Sequence, residues 1–229
     1  MARSYTLALE GATYEGSVAL MRDSDVVAER TLRADDGGIP RAGRGERLMP
    51  AVAECLEEAG VGRPEIARIV CGSGPGSFTS LRVAGSVAKG LAAGYGVELY
   101  AVSSLVLTVS GAQVSPPVGE YLSVLDAMRG EFFAARITLG PASVAIQGGP
   151  ATLISATELA DIVEREPTLR IIGPGQRIEG HPHARGVAPI LASIVERGPV
   201  NLASWEPDYG RLAEAQVRWE AAHGRPLTT

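Results

Sequence analysis

Residues 71–91 read CGSGPGSFTSLRVAGSVAKGL, and this stretch decides the fold. An apolar strand ending near Cys71 runs into Gly74-Pro75-Gly76 and then into a helix rich in small residues. Two glycines free to take positive φ flank a proline whose φ is set, a combination that turns a chain sharply after a buried strand. Ser77 falls where an N-cap belongs, with a hydroxyl able to accept from the first unpaired helix amides. The same amides, aided by the helix dipole, offer an alternative role as an anion site. Turn plus cap is the expected role, because a short Gly-rich turn is a weak ligand signal without its context.

Upstream of this elbow the pattern alternates. Residues 5–9, 16–21 and 26–32 read as three strands, with residues 22–25 as a tight polar turn, so an antiparallel meander is expected. Residues 35–45 are rich in Gly and charge and read as a loop. Leu48, Val52, Cys55, Leu56 and Ala59 then recur at helical spacing, with Glu54, Glu57 and Glu58 opposite. Pro50 fits only the first turn of that helix. Gly60 and Gly62 end it before a short strand over residues 66–71.

Downstream, a helix from Phe78 to about Ala93 ends at Gly94 and Gly96, and residues 97–102 form a strand. The order then recurs. Residues 121–125, 132–139 and 143–147 form a second meander, residues 157–165 a helix, 169–172 a strand, and residues around 187–196 a further helix. Two copies of one strand-helix order imply a duplicated α/β architecture.

The chain has 229 residues, 45% of them hydrophobic, enough for one large domain or two small ones. It lacks an uninterrupted apolar run of about 18 residues, which argues against a membrane span. Glu10 and Glu15 interrupt the apolar residues near the start, so a strand is expected there and not a signal peptide. Cys55 and Cys71 are expected to be buried free thiols. Lys and Arg total 21 against 26 Asp and Glu, for a net charge of −5 without a dense basic run, so independent nucleic-acid binding is disfavoured.

The stretch GPGSFTSLRVAGSVAKGLA resembles the GPGSFTGLRIG…AKGLA signature of the TsaB (YeaZ) family, bacterial partner proteins in making threonylcarbamoyladenosine on tRNA. Three further stretches resemble the family in order: LMPAVAECLEEAGV (48–61) its first helix, YLSVLDAMRGEFFAARI (121–137) its "DAR…E" hairpin, and WEPDYGRLAEAQ (205–216) its tail. The most specific residues are Gly74, Pro75, Gly76, Ser77, Phe78, Thr79 and Arg82. The resemblance implies an α/β fold of two ribonuclease-H-like lobes of the actin, sugar kinase and Hsp70 (ASKHA) type. The first lobe would span residues 1–113 and the second 114–208, with a C-terminal helix and tail over 209–229 packing back toward the first.

It also implies a cytoplasmic, noncatalytic subunit that pairs with a TsaD-like subunit and supports threonylcarbamoyl transfer to adenosine 37 of tRNA. A TsaE-like ATPase and a second copy of the chain are further implied partners, and tRNA is met only through the complex. Catalytic residues, metal and intrinsic cofactor are expected to be absent, and whether a nucleotide binds at a junction with partners is left open. The alternatives are an active ASKHA-type phosphotransferase, an M22-like metallopeptidase, or a free homodimeric binding protein.

Residue by residue, the chemistry is sparse. Glu10-Gly11-Ala12-Thr13 stands at the first hairpin, where most TsaB sequences carry Asp-Thr-Ser and where actin-like ATPases hold phosphate and magnesium. Glu is one methylene longer, and magnesium tolerates poor geometry badly. The His-x-x-x-His of TsaD has its nearest counterparts at Arg44 and Leu48. The histidines are His181, His183 and His223, and His181-Pro182-His183 reads as a solvated loop. Ser77 and Thr79 have no His or Lys close in sequence to activate them. Arg82 would anchor the elbow or meet an anion or a partner's acid. Asp126 and Glu131 around Arg129 read as a polar turn, and Trp205, Tyr209 and Trp219 as packing anchors. What remains is a surface: Leu48, Val52 and Leu56 of the first helix, with Ala84, Ala88 and Ala92 of the second, are the candidate partner interface.

Overall fold

The structure, a computed structural model, describes residues 3–32, 47–211 and 223. Strands β1 (Tyr5–Glu10), β2 (Ser17–Arg22) and β3 (Asp25–Thr31) form the expected antiparallel meander. Helix α1 (Leu48–Ala59) follows, then β4 (Ile66–Gly72), α2 (Phe78–Tyr95) and β5 (Glu98–Val102). The sheet order is β3-β2-β1-β4-β5, with β4 and β5 parallel to β1. Gly60 (φ 62°) and Gly96 (φ 63°) close α1 and α2 in the left-handed region that glycine enters most readily.

The second half repeats the order. Strands β6 (Gly119–Asp126), β7 (Glu131–Leu139) and β8 (Ala145–Gln147) are antiparallel neighbours. Strand β9 (Thr152–Ser155) pairs with the first part of β7, so the third strand of this meander is shared between β8 and β9. Helix α4 (Ala156–Arg165), β10 (Arg170–Gly173) and β11 (Ile178–Glu179) complete the sheet order β11-β10-β6-β7-β8, with β10 parallel to β6. Ser155 caps α4 reciprocally with Glu158, which the Ser-x-x-Glu spacing encodes. The duplicated α/β architecture of actin-like type is thus present.

Helix α3 (Ser104–Ser110) was not expected. Its sequence SLVLTVS is a short apolar run with β-branched residues, which periodicity alone does not separate from a strand. Six of its seven residues are buried, because it lies between the two sheets. With it lie a 3-10 segment (Ala184–Ile190) and α5 (Leu191–Glu196); Pro189 interrupts what the sequence reads as one helix.

The order of layers is therefore α1 and α2, the first sheet, the α3 and α5 layer, the second sheet, and α4. One continuous apolar core joins the lobes: Ala8, Met21 and Val102 of the first sheet share it with Leu105 and Leu107 of α3 and Tyr121, Leu125 and Ile137 of the second. A lobe interface of this kind resists the hinge motion that separate domains show by default. Cys55 and Cys71 are buried free thiols. Among the described residues, no helix is long and apolar enough to cross a membrane.

The loop over residues 35–45 and most of the helix expected over 209–222, with Trp219, lie outside the described residues. Tyr209, Gly210 and Arg211 are described, and they are not helical. The chain returns to the first lobe earlier than residue 209: the Val200 amide donates to the Leu99 carbonyl at the β5 edge (2.9 Å), and Trp205 packs on the α1 and α2 side.

Candidate functional site

The elbow between β4 and α2 lies where both lobes and the returning tail meet. Gly74 takes φ 90°, a conformation open to glycine but strained for other residues. Gly76, expected to need the same freedom, does not have positive φ; it is required for space, since a Cβ there would stand 2.2 Å from the Ala12 carbonyl oxygen. Two of the elbow's amides are used within the chain. Ser77 N–H donates to the Ala12 carbonyl (2.7 Å), which seals the first hairpin against the elbow, and Gly74 N–H donates to Ser104 Oγ (3.1 Å).

Ser77 occupies the N-cap position of α2, but its hydroxyl bonds Ser80 Oγ (3.1 Å) instead of a helix amide. The capping role is therefore not made. Ser77→Ala is accordingly expected to change unfolding free energy in urea by less than about 0.5 kcal/mol, where a capping serine would cost about 1 kcal/mol. Phe78 and Thr79 are exposed. Among the described residues Arg82 has no acid or carbonyl partner; its guanidinium lies over the Phe78 ring, 5.4 Å from the centroid. Phe78 in turn meets Tyr209 of the tail, with centroids 4.6 Å apart.

Glu10 ends β1 and points inward. It is fully buried, accepting from Ala12 N–H (2.5 Å) and from Ser104 Oγ (3.1 Å to Oε1, 2.9 Å to Oε2). A Cβ on Gly72 would stand 1.8 Å from Glu10 Oε2, so the carboxyl fits only because residue 72 is glycine. Burial raises the Glu10 pKa from 4.5 to about 7, against the lowering effect of its hydrogen bonds. Burial likewise pushes the neighbouring Cys71 thiol up, and Glu10 adds to that shift. A carboxyl so enclosed does not face solvent between the lobes as a magnesium ligand would.

The remaining candidates are scattered. His181 bonds Glu179 (2.8 Å) and lies 3.8 Å from Glu15. His183 is not the solvated loop residue expected from its Gly-rich surroundings: it is buried, its Nε2 meets Thr31 Oγ1 (2.9 Å), and its Nδ1 accepts from Arg185 N–H (3.1 Å). Among the described residues there is no group of three His, Cys, Asp or Glu able to hold a metal. In the second hairpin Asp126 accepts from Met128 N–H (2.7 Å), Met128 and Arg129 both take positive φ, and Glu131 pairs with Arg211 of the tail (3.0 Å).

The candidate partner interface needs the largest correction. Leu48, Val52, Ala84, Ala88 and Ala92 are all buried in the core beneath α1 and α2, and Leu56 is half-buried. Both helices turn these positions to the sheet. The outward stripe is instead Met49 and Ala53 of α1, with Thr79, Ser86, Gly90 and Ala93 of α2. Lys89 and Gly85 face the returning tail. Lys89 belongs to the AKGLA end of the signature and is the single lysine of the chain, but neither fact indicates what it contacts.

A family model described as TsaD, tRNA N6-adenosine threonylcarbamoyltransferase, matches residues 26–167. The chain is 34% identical to the tRNA threonylcarbamoyladenosine biosynthesis protein TsaB of Escherichia coli over 129 residues, 56% of this chain and 53% of that protein. It thus spans about half the length of this relative. Against the protein of the same name from Bacillus subtilis it is 25% identical over 93% of this chain and 96% of that one. The solved structure of YeaZ from Pseudomonas aeruginosa superposes with a TM-score of 0.72 at 25% identity, covering 90% of this chain and 99% of that one. The elbow signature, the doubled sheet order and these matches agree, and the chain belongs to the TsaD-type family and, within it, to the TsaB (YeaZ) proteins.

Proposed function

We propose that this chain is a noncatalytic subunit in the biosynthesis of threonylcarbamoyladenosine on tRNA, and that it pairs with a TsaD-type subunit through the outward stripe of α1 and α2. The observation that carries the noncatalytic part is the closed elbow. A phosphate cradle works by presenting free backbone N–H groups. Here Gly74 and Ser77 commit theirs to Ser104 and Ala12, and Pro75 has none. The first-hairpin carboxylate is turned into the core in the same way. The names of the TsaB relatives supply the pathway, and the TsaD family model supplies the class of partner.

Met49, Ala53, Gly90 and Ala93 form a surface with little side-chain bulk, against which another helix pair can approach closely. A second copy of the chain would meet the same stripe, so self-association competes with pairing. A nucleotide and a TsaE-type ATPase belong, in this reading, to junctions that the partner completes.

Gly90 is the position to test. A Cβ there meets nothing within 4 Å, so Gly90→Arg leaves the fold intact, and loss of a helix-interior glycine adds up to about 1 kcal/mol of stability. The variant is expected to melt at or a few degrees above wild type, to fail to co-purify with a TsaD-type subunit, and to lose support of tRNA modification in a reconstituted system with a TsaE-type ATPase. Undiminished pairing would move the interface off this stripe. Modification or ATP turnover by the purified chain alone, abolished by Glu10→Ala, would favour the phosphotransferase alternative.

A further inference from the structure

Residues 200–211 leave α5 and cross the whole molecule without regular secondary structure. Val200 N–H bonds the β5 edge at Leu99, and Asn201 Oδ1 accepts from the amides of Ala203 and Ser204 (3.0 and 3.1 Å). Lys89 Nζ then donates from α2 to the carbonyls of Trp205 (3.0 Å) and Ala203 (3.5 Å). Pro207 lies against Gly85, where a Cβ would be 3.0 Å from its Cγ. Asp208 N–H bonds the Ser73 carbonyl (2.7 Å), and its own carbonyl fills the space over Gly74, 2.2 Å from where a Cβ would be. Gly210, at φ 69°, fits between Phe133 and Pro75. Arg211 ends the path on the second hairpin, donating to the Ala127 carbonyl (2.6 Å) and pairing with Glu131.

We propose that this segment is a strap that detaches as one unit, latched by Lys89, and that its release frees the elbow and the tip of the β6–β7 hairpin together. Three features support release as a unit. The strap holds the body by single hydrogen bonds spaced along its length, not by a ladder, and about half of its residues (Asn201, Ala203, Ser204, Glu206, Asp208, Gly210) are exposed, the marks of a low-stability segment. Its two ends grip different lobes, so either end lost leaves the other poorly held. Its only side-chain hydrogen bonds from α2 come from Lys89, which among the described residues has no carboxylate partner.

The single lysine makes the test clean. Hydrogen exchange followed by mass spectrometry on the full chain compares wild type, Lys89→Met and Lys89→Arg, while reaction with a trace amine-acylating reagent, mapped to Lys89, compares wild type with Gly210→Val. Loss of charge-assisted hydrogen bonds predicts about tenfold faster exchange in Lys89→Met at the Val200, Trp205 and Asp208 amides and in residues 126–131, with partial recovery in Lys89→Arg. Strands β1, β2 and β4 should keep wild-type protection. Gly210→Val, which drives a side chain into Phe133 at the far end, should raise Lys89 acylation by a similar factor. Faster exchange confined to Ala203 and Trp205, or Lys89 reactivity unmoved by Gly210→Val, would show that the strap is not one unit. Loss of protection throughout both sheets would show that it is integral to the fold and not releasable; either result overturns the proposal.

Discussion

Ala88→Arg is expected to abolish folding of the chain, not to block a partner selectively. Ala88 is fully buried between α2 and the first sheet, in the cluster that includes Leu7, Leu9, Ile69 and Leu99. A guanidinium placed there must displace close-packed side chains and lose its hydration without a counter-ion in reach. Overpacking costs about 1–3 kcal/mol and an uncompensated buried charge about 3–5 kcal/mol more. The sum is comparable to the whole stability of an ordinary domain, about 5–15 kcal/mol. The purified variant should lack a cooperative urea transition and bind a dye for exposed apolar surface. A folded Ala88→Arg protein that has lost only pairing would return the interface to the buried stripe and contradict the orientation of α2.

The second large effect is on pH dependence. Glu10 carries a pKa of about 7 in the folded chain against 4.5 in an exposed carboxyl. Below 4.5 both folded and unfolded chains hold the proton; between 4.5 and 7 the unfolded chain releases it first, so folding stability falls as pH rises; above 7 the loss is complete. The upward shift corresponds to about 3 kcal/mol across that window. Glu10→Gln should remove this slope. Its amide oxygen takes the Ala12 N–H and its amide nitrogen donates to Ser104, replacing the bonds of the protonated acid. Urea unfolding of both proteins from pH 5 to pH 8 should give similar stabilities at pH 5 and a variant more stable by about 2–3 kcal/mol at pH 8. Parallel profiles would show that the protonation of Glu10 does not differ between the folded and unfolded chain across this window and would overturn the prediction.

Both predictions turn on facts that the sequence conceals. Helical spacing in α1 and α2 marks one apolar face on each helix, and a face of that kind serves equally to pack on a sheet or to meet a subunit. Leu48, Val52, Ala84, Ala88 and Ala92 carry the same periodicity in either case, and only the position of the sheet assigns them to the core. Glu10 reads as a residue of the first hairpin; its burial depends on Ser104 and Gly72, which are distant in sequence and adjacent only after β1, β4 and α3 assemble. His183 differs from its solvated appearance for the same reason, since Thr31 comes from the opposite lobe.

By itself the sequence determined the local and repeated features of this protein. Period-two and period-3.6 patterns and Gly stops place most of the elements, though not α3, β9 or β11, and the repetition of their order sets two like sheets, because such signals act within a few residues of backbone. The elbow signature was equally legible, and with it the family. The tertiary structure alone decided which helix faces are buried, that α3 is a helix between the sheets, that Gly76 is needed for space and not for φ, and that residues 200–211 lie across the elbow. Each of these depends on an atom more than twenty residues away: the Ala12 oxygen at Gly76, the Asp208 oxygen at Gly74, the Trp205 carbonyl at Lys89. Packing of that range is set by which surfaces fit once the chain is closed, and a one-dimensional pattern carries no record of it.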